Sequence, residues 1–201
     1  MKALIEKNMA PDPFVEFLEW YELALHHPKI KQGDAMCLST VDRAGYPTSR
    51  MVLLKAFDHR GFVFYTNFRS HKGHDLKLHP KASLNFYWEA LNRQIRITGK
   101  VESVTAEEAD EYFQSRPRAS QIGAWASHQS EALKNREELE KRFAEYQKKF
   151  RGKVVPRPLH WSGFRVIPQR IEFWQARPNR LHDRIVYLLK KGKWRKERLS
   201  P

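Results

Sequence analysis

Three stretches carry residue types that could grip anions or orient a flat ring. The first is SRMVLLKAF, residues 49–57, where Arg50 and Lys55 flank a four-residue apolar run. Side chains alternate between the faces of a strand. Arg50, Val52 and Leu54 would then share one face, and Met51, Leu53 and Lys55 the other. A buried charge needs a partner, and the nearby stretch SLNFYWEALNRQIRIT, residues 83–98, holds one acid, Glu89. An anionic ligand would fill the gap; the alternative is that both cations reach water at the sheet ends. The second stretch, YTNFRSHKG at 65–73, offers Thr66, Ser70 and Lys72 in a turn leading into a helix. Helix N-termini favour phosphate. In SRPRASQIGAWASHQS, 115–130, Arg116, Arg118, Ser120, Gln129 and Ser130 form a further polar cluster, with Tyr112 just before it. Two separate phosphate-friendly clusters suggest two phosphorylated ligands.

The third stretch is NRLHDRIVY, 179–187. Read as a strand, it puts Arg180, His182 and Arg184 on one face and Leu181, Asp183 and Ile185 on the other. Trp174 precedes it closely. Arginine, histidine and tryptophan together can stack on and hydrogen-bond a heteroaromatic ring. The competing reading is a basic edge strand that discourages aggregation.

The elements that must position these residues are mostly short strands. DAMCLSTV, PTSRMVLLKAF, GFVFYTN, ASLNFYWE and RQIRITGKVESV are rich in β-branched and aromatic residues and separated by turn signals. Asp42 to Gly45 and Asp58 to Gly61 read as hairpin turns. Hairpin-linked strands predict an antiparallel sheet, curled into a barrel. A first helix is predicted over FVEFLEWYELALHH, capped by Asp12, with Phe14, Phe17, Leu18, Tyr21 and Leu25 as its apolar stripe. Thr105-x-x-Glu108 and Asn135-x-x-Glu138 open two more helices. GFRVIPQRIEFWQ, DRIVYLL and WRKERL return to strand. The fold class is thus mainly β with flanking helices (α+β), and residues 1–201 read as a single domain.

Lysines and arginines number 37 against 23 acids, a net charge of +14. Such an excess attracts nucleic acid, anionic membrane or phosphorylated small molecules. KKGKWRKER and KKFRGK are clusters that a solvated surface explains; charges inside apolar strands are not so explained. No apolar run approaches the ~18 residues of a membrane helix, and MKALIEKNMAPDP lacks a signal-peptide core. A cytoplasmic protein is expected. The one cysteine, Cys37, leaves neither an intrachain disulfide nor a cysteine metal cluster, and reads as a small core residue. The spacing of His71, His74 and His79 fits no metal-ligand pattern, so no metal is expected. Dinucleotide, P-loop, G-x-S-x-G and H-E-x-x-H motifs are absent.

RMVLLK, FYTN, FYWEALNRQIRITG, YFQSRPRASQIGAWASHQS, IEFWQ, NRLHDR and a terminal W-x-x-x-RLSP occur in this order. Together they resemble the pyridoxine/pyridoxamine 5′-phosphate oxidases over about residues 11–201. The resemblance implies an antiparallel FMN-binding split β-barrel, normally a homodimer with FMN at the subunit interface. It implies oxidation of pyridoxine or pyridoxamine 5′-phosphate to pyridoxal 5′-phosphate, with O2 as acceptor and hydrogen peroxide as by-product. It assigns FMN to Arg50, Met51, Val52, Leu53, Leu54, Lys55, Tyr65, Thr66, His71, Lys72, Gln94, Gln129, Ser130, Trp174 and Arg184. It assigns the substrate phosphate to Lys55, Tyr112, Arg116 and Ser120. Arg180 and His182, with Leu181 between them, resemble the segment that packs over the substrate ring, so the catalytic assignment falls on Arg180 and His182. Two departures stand out. His71 occupies a position where the family commonly has arginine, which predicts weaker or more pH-sensitive FMN binding. MKALIEKN has neither the arginine nor the tyrosine of the family's R-x-x-Y lid. The competing readings are an FMN- or pyridoxal-phosphate-binding protein without turnover and, against the motif evidence, a nucleic-acid binder.

Overall fold

The structure is a computed structural model describing residues 3–201; Met1 and Lys2, which begin the MKALIEKN segment, lie outside the described residues. Nine strands form one antiparallel sheet: β1 (Ala35–Val41), β2 (Pro47–Leu53), β3 (Ala56–Asp58), β4 (Gly61–Asn67), β5 (Lys81–Trp88), β6 (Arg93–Ser103), β7 (Trp161–Gln175), β8 (Asp183–Lys190) and β9 (Lys193–Arg198). The order is β2-β1-β5-β6-β7-β4-β3, with β8 on β7 and β9 on β8. β2 also lies against β4, five places away in that order, so the sheet curls back on itself. The closing corner falls inside the stretch expected to be one strand, 47–57. Residues up to Leu53 pair with β1, whereas the Lys55 amide donates to the Val63 carbonyl of β4 (2.9 Å). Lys55 therefore leaves the alternation predicted for it and stands at the corner.

Five helices flank the sheet: α1 (Pro13–Leu25), α2 (His71–Leu78), α3 (Ala106–Ser115), α4 (Arg118–Ala126) and α5 (Arg136–Lys149). Asp12 caps α1 by accepting from the Phe14 amide, and Thr105 and Glu108 form both bonds of the capping box of α3. Asn135 caps α5 as expected. The buried face of α1 is Glu16, Phe17, Trp20 and Ala24; Leu18 and Leu25 of the expected stripe are more than 40% exposed. Trp20 took that place because its ring meets Phe173 edge-on at 5.2 Å, a demand set by β7 that helix periodicity alone does not carry. Phe17 sits at the centre of the core, edge-on to Phe62 (4.8 Å) and Phe86 (5.3 Å). Helix α4 was not foreseen, since its residues read as a polar cluster.

The largest departure is residues 179–182. They are not strand. Asn179 and Arg180 both have positive φ (58° and 61°), within a 3-10 turn at Pro178–Arg180, and β8 begins only at Asp183. Pro178 before this pair fixes its own φ and supplies no ladder donor, so the chain turns where alternation had been assumed.

Candidate functional site

A cleft of about 500 Å³ opens where the corner at Lys55 meets β4, α2 and the α3–α4 junction. Its lining contains Met51, Val52, Leu53, Lys55, Tyr65, Thr66, Lys72, Tyr112, Arg116, Ser120 and Gln129. These come from five elements and three distant parts of the sequence. The expected cofactor strand and the expected substrate-phosphate cluster thus share one cavity.

Lys72 is the cation at one end. It is buried, on the first turn of α2, and its ammonium donates to Ser70 Oγ (3.1 Å) and Gln129 Oε1 (3.2 Å). Both partners are neutral. Burial, then repulsion from Arg50, pulls its pKa down to about 8. Ser70 caps the same helix, and its hydroxyl donates to the Asn67 carbonyl (2.7 Å). Gly73 permits this tight start: a Cβ there would fall 2.4 Å from the Phe68 carbonyl oxygen. Gln129 also accepts from Thr66 Oγ1 (3.3 Å), so β4, α2 and the segment after α4 meet at one polar point.

Arg116 is the cation at the other end, just after α3. Its guanidinium lies over the Trp161 ring, 4.5 Å from the centroid. Nη1 is buried and has no hydrogen-bond partner among the described residues. A buried guanidinium nitrogen without an acceptor is costly, and an arginine stays charged, so this site fits an incoming anion. The wall between the two cations is aromatic. Tyr65 stacks on Tyr112 (centroids 4.0 Å apart) and on Trp161 (5.4 Å). Gly163 faces Tyr65 across β4 and β7, and a Cβ there would meet the tyrosine ring at 2.8 Å. Lys55 is already matched, its ammonium 2.8 Å from Asp34.

The remaining predicted residues do not line this cleft. Arg50 turns its Nη1 to Thr40 Oγ1 (2.6 Å) and its Nη2 to Thr48 Oγ1 (2.7 Å). Leu54 is buried in the core, and His71 and Ser130 are exposed. Gln94, Trp174 and Arg184 lie in one row across β6, β7 and β8, where Gln94 pairs with Trp174 and Trp174 with Arg184. Gln94 donates to Asn85 Oδ1 (2.8 Å). The His182 ring lies 4.7 Å from that of Trp174, and His182 Nδ1 accepts from the Arg177 amide (3.2 Å). Leu181 is 68% exposed beside it. The structure therefore places the residues expected to bind the ring in a row and a turn rather than on one strand face.

The expectation that strand cations lack acidic partners is overturned. Glu172, fully buried on β7, receives Arg96 Nη2 (2.5 Å) and Arg184 Nε (2.9 Å) on one oxygen and Arg170 on the other. Burial raises its pKa, but hydrogen bonds from Arg184, Arg96 and Arg170 outweigh this and hold it at about 2. Asp34 and Asp75 serve Lys55 and Arg50 in the same way. Sequence distance hid most of these pairs: Arg96, Arg184, Lys55 and Arg50 each find their acid on another segment, and only Arg170 shares β7 with Glu172. Asn67, Ser127 and Trp161 also line the cleft and were missed; Asn67 ends the FYTN motif, which was the available signal.

Residues 26–150 match the family model described as pyridoxamine 5′-phosphate oxidase, and residues 161–201 match a pyridoxine 5′-phosphate oxidase C-terminal dimerisation region. A pyridoxine/pyridoxamine 5′-phosphate oxidase from Synechocystis is 52% identical over 99% of this chain and 92% of its own length. One from Myxococcus xanthus is 56% identical over 95% of this chain and 92% of its own. Among solved structures, PhzG from Burkholderia lata, in complex with tetrahydrophenazine-1-carboxylic acid, superposes with a TM-score of 0.92 at 30% identity, covering 100% of this chain and 99% of its own. A pyridoxamine 5′-phosphate oxidase-related, FMN-binding protein from Nostoc punctiforme shares the fold, with a TM-score of 0.74 at 15% identity over 96% of this chain and 100% of its own.

Proposed function

The chain belongs to the pyridoxamine 5′-phosphate oxidase family, and from that premise we propose that it oxidises pyridoxine or pyridoxamine 5′-phosphate to pyridoxal 5′-phosphate with FMN in the cytoplasm. O2 is the acceptor and hydrogen peroxide the by-product. The observation that carries this reading is the single cleft holding two cationic stations, one with a guanidinium nitrogen that lacks an acceptor. Two phosphate monoesters, FMN and substrate, match two stations.

Lys72, Thr66 and Gln129 hold the FMN phosphate, and Met51, Val52 and Leu53 border its ring. Arg116, Tyr112, Ser120 and Lys55 hold the substrate phosphate. Bound there, FMN would supply the two-electron oxidation of the substrate carbon that bears the alcohol or amine. The protein's task is to fix that carbon at reacting distance and exclude water. Arg180 and His182 pack over the substrate ring and orient it. His182 Nδ1 accepts a backbone hydrogen bond, which leaves Nε2 to donate toward substrate when the ring is neutral. Gln94, Trp174, Arg180, His182 and Arg184 do not line the cleft of their own chain. We assign them to the cleft of a second copy in a homodimer, an assignment supported by the dimerisation region matched at 161–201.

Aerobic turnover of pyridoxamine 5′-phosphate tests the reading: pyridoxal 5′-phosphate, ammonia and peroxide should form in equal amounts, and pyridoxine without its phosphate should react poorly. Equal rates with and without the phosphate would contradict the role of Arg116. Bound FMN without turnover would leave a binding protein. Turnover of a tetrahydrophenazine carboxylate, the class of ligand bound by the Burkholderia relative, but of neither phosphate ester would contradict the reading.

A further inference from the structure

Asp75 lies one helical turn beyond Lys72 on α2 and is buried, although it does not line the cleft. Its Oδ2 accepts from Thr40 Oγ1 (2.6 Å) and from Thr48 Oγ1 (3.3 Å). The same two hydroxyl oxygens accept from Arg50 Nη1 (2.6 Å) and Nη2 (2.7 Å). The two hydroxyls also lie 3.0 Å from one another, so Thr40 and Thr48 bridge the Asp75 carboxylate to the Arg50 guanidinium, with Thr40 Oγ1 making the shortest bond to the acid. Arg50 Nη2 is itself 3.8 Å from Asp75 Oδ2. Residues i and i+3 share a helix face, and the field of the carboxylate reaches both Arg50 and Lys72. Those two cations repel one another, and Asp75 acts in the opposite sense on each.

We propose that Asp75 is a positioning residue of the FMN phosphate station: through Thr40 and Thr48 it holds Arg50 in place, and its carboxylate offsets the repulsion between Arg50 and Lys72 before the phosphate arrives. This rests on the assignment of Lys72 to the FMN phosphate. The charged groups acting on Lys72 are Arg50 from β2 and Asp75 from its own helix; Ser70 and Gln129 are neutral. The attraction Lys72 offers a phosphate is full below its pKa of about 8 and is lost as pH rises through and above it.

The test is FMN binding to apoprotein, read by quenching of flavin fluorescence, from neutral to alkaline pH. For Asp75→Asn the alkaline fall in affinity should move toward acid by about half a pH unit or more, while Asp75→Glu keeps the wild-type midpoint. Coincident midpoints for wild type and Asp75→Asn would overturn the proposal, even if the variant melted earlier, since a purely structural role lowers melting temperature without moving the midpoint. If Asp75→Asn does not fold, Asp75→Gln against Asp75→Glu makes the same neutral-versus-charged comparison. Failure of wild-type protein to bind FMN at any pH would instead sink the cofactor assignment on which the proposal rests.

Discussion

Arg116 and Arg184 are both partly buried and both sit near tryptophans, yet their surroundings differ. Arg184 is matched inside the protein: it donates to Glu172 and to the Ser200 carbonyl (2.9 Å), and Glu172 holds Arg96 and Arg170 as well. Arg116 has an aromatic plane beneath it and a buried nitrogen with no acceptor. One region carries its counter-charge in the fold; the other shows none among the described residues. Substitutions should therefore cost stability in the C-terminal sheet and binding in the cleft.

The strongest break of this contrast is Glu172→Ala. It leaves three arginines around a buried vacancy, and losing one side of a buried ion pair costs about 3–5 kcal/mol. At this chain length that lowers Tm by roughly 10 °C, readable by thermal unfolding of the apoprotein. A loss of under about 1 kcal/mol would show that the network adds no stability. Arg116→Ala should do the reverse. A charge-assisted bond contributes roughly 1.5–3 kcal/mol, so KM for pyridoxine 5′-phosphate should rise about 10- to 100-fold, with kcat and Tm close to wild type. A steep fall in kcat at constant KM would remove Arg116 from phosphate binding.

Arg184→Ala tests whether the two regions meet in one site. Glu172 keeps Arg96 and Arg170, so the stability loss should be smaller than for Glu172→Ala, while the FMN retained through purification should drop. Unchanged flavin content would separate β8 from the cofactor. The same contrast can be read in acid. The Glu172 carboxyl lies near 2 in the folded protein against an ordinary 4.5. A depressed carboxylate stabilises above its unfolded value, and that contribution is lost as pH falls from about 4.5 toward 2. Wild type should weaken over that range more steeply than Glu172→Gln, by equilibrium unfolding at each pH.

The strands, the caps of α1, α3 and α5 and the basic character of the cleft were legible because each rests on local signals: alternation, an Asp-Pro start, T-x-x-E and N-x-x-E patterns, and lysine and arginine set among hydroxyls and amides at 65–73 and 115–130. What sequence did not carry was pairing at a distance. Glu172 lies 76 residues beyond Arg96, and nothing in either segment marks the other. The 54–55 corner depends on Lys55 switching from β1 to β4, a closure property of the whole sheet. Periodicity failed at 179–182 because Asn179 and Arg180 adopt left-handed backbone, which asparagine tolerates and alternation cannot reveal. The NRLHDR motif kept its composition but not its geometry: Arg184 alone of the three basic residues stands in a strand.

The most direct measurement is the visible absorption spectrum of the purified protein, followed by anaerobic addition of pyridoxine 5′-phosphate. The account predicts a yellow flavin spectrum that bleaches with substrate and returns on admitting air. A colourless protein that takes up no added FMN, or a flavin that substrate leaves unbleached, would contradict it.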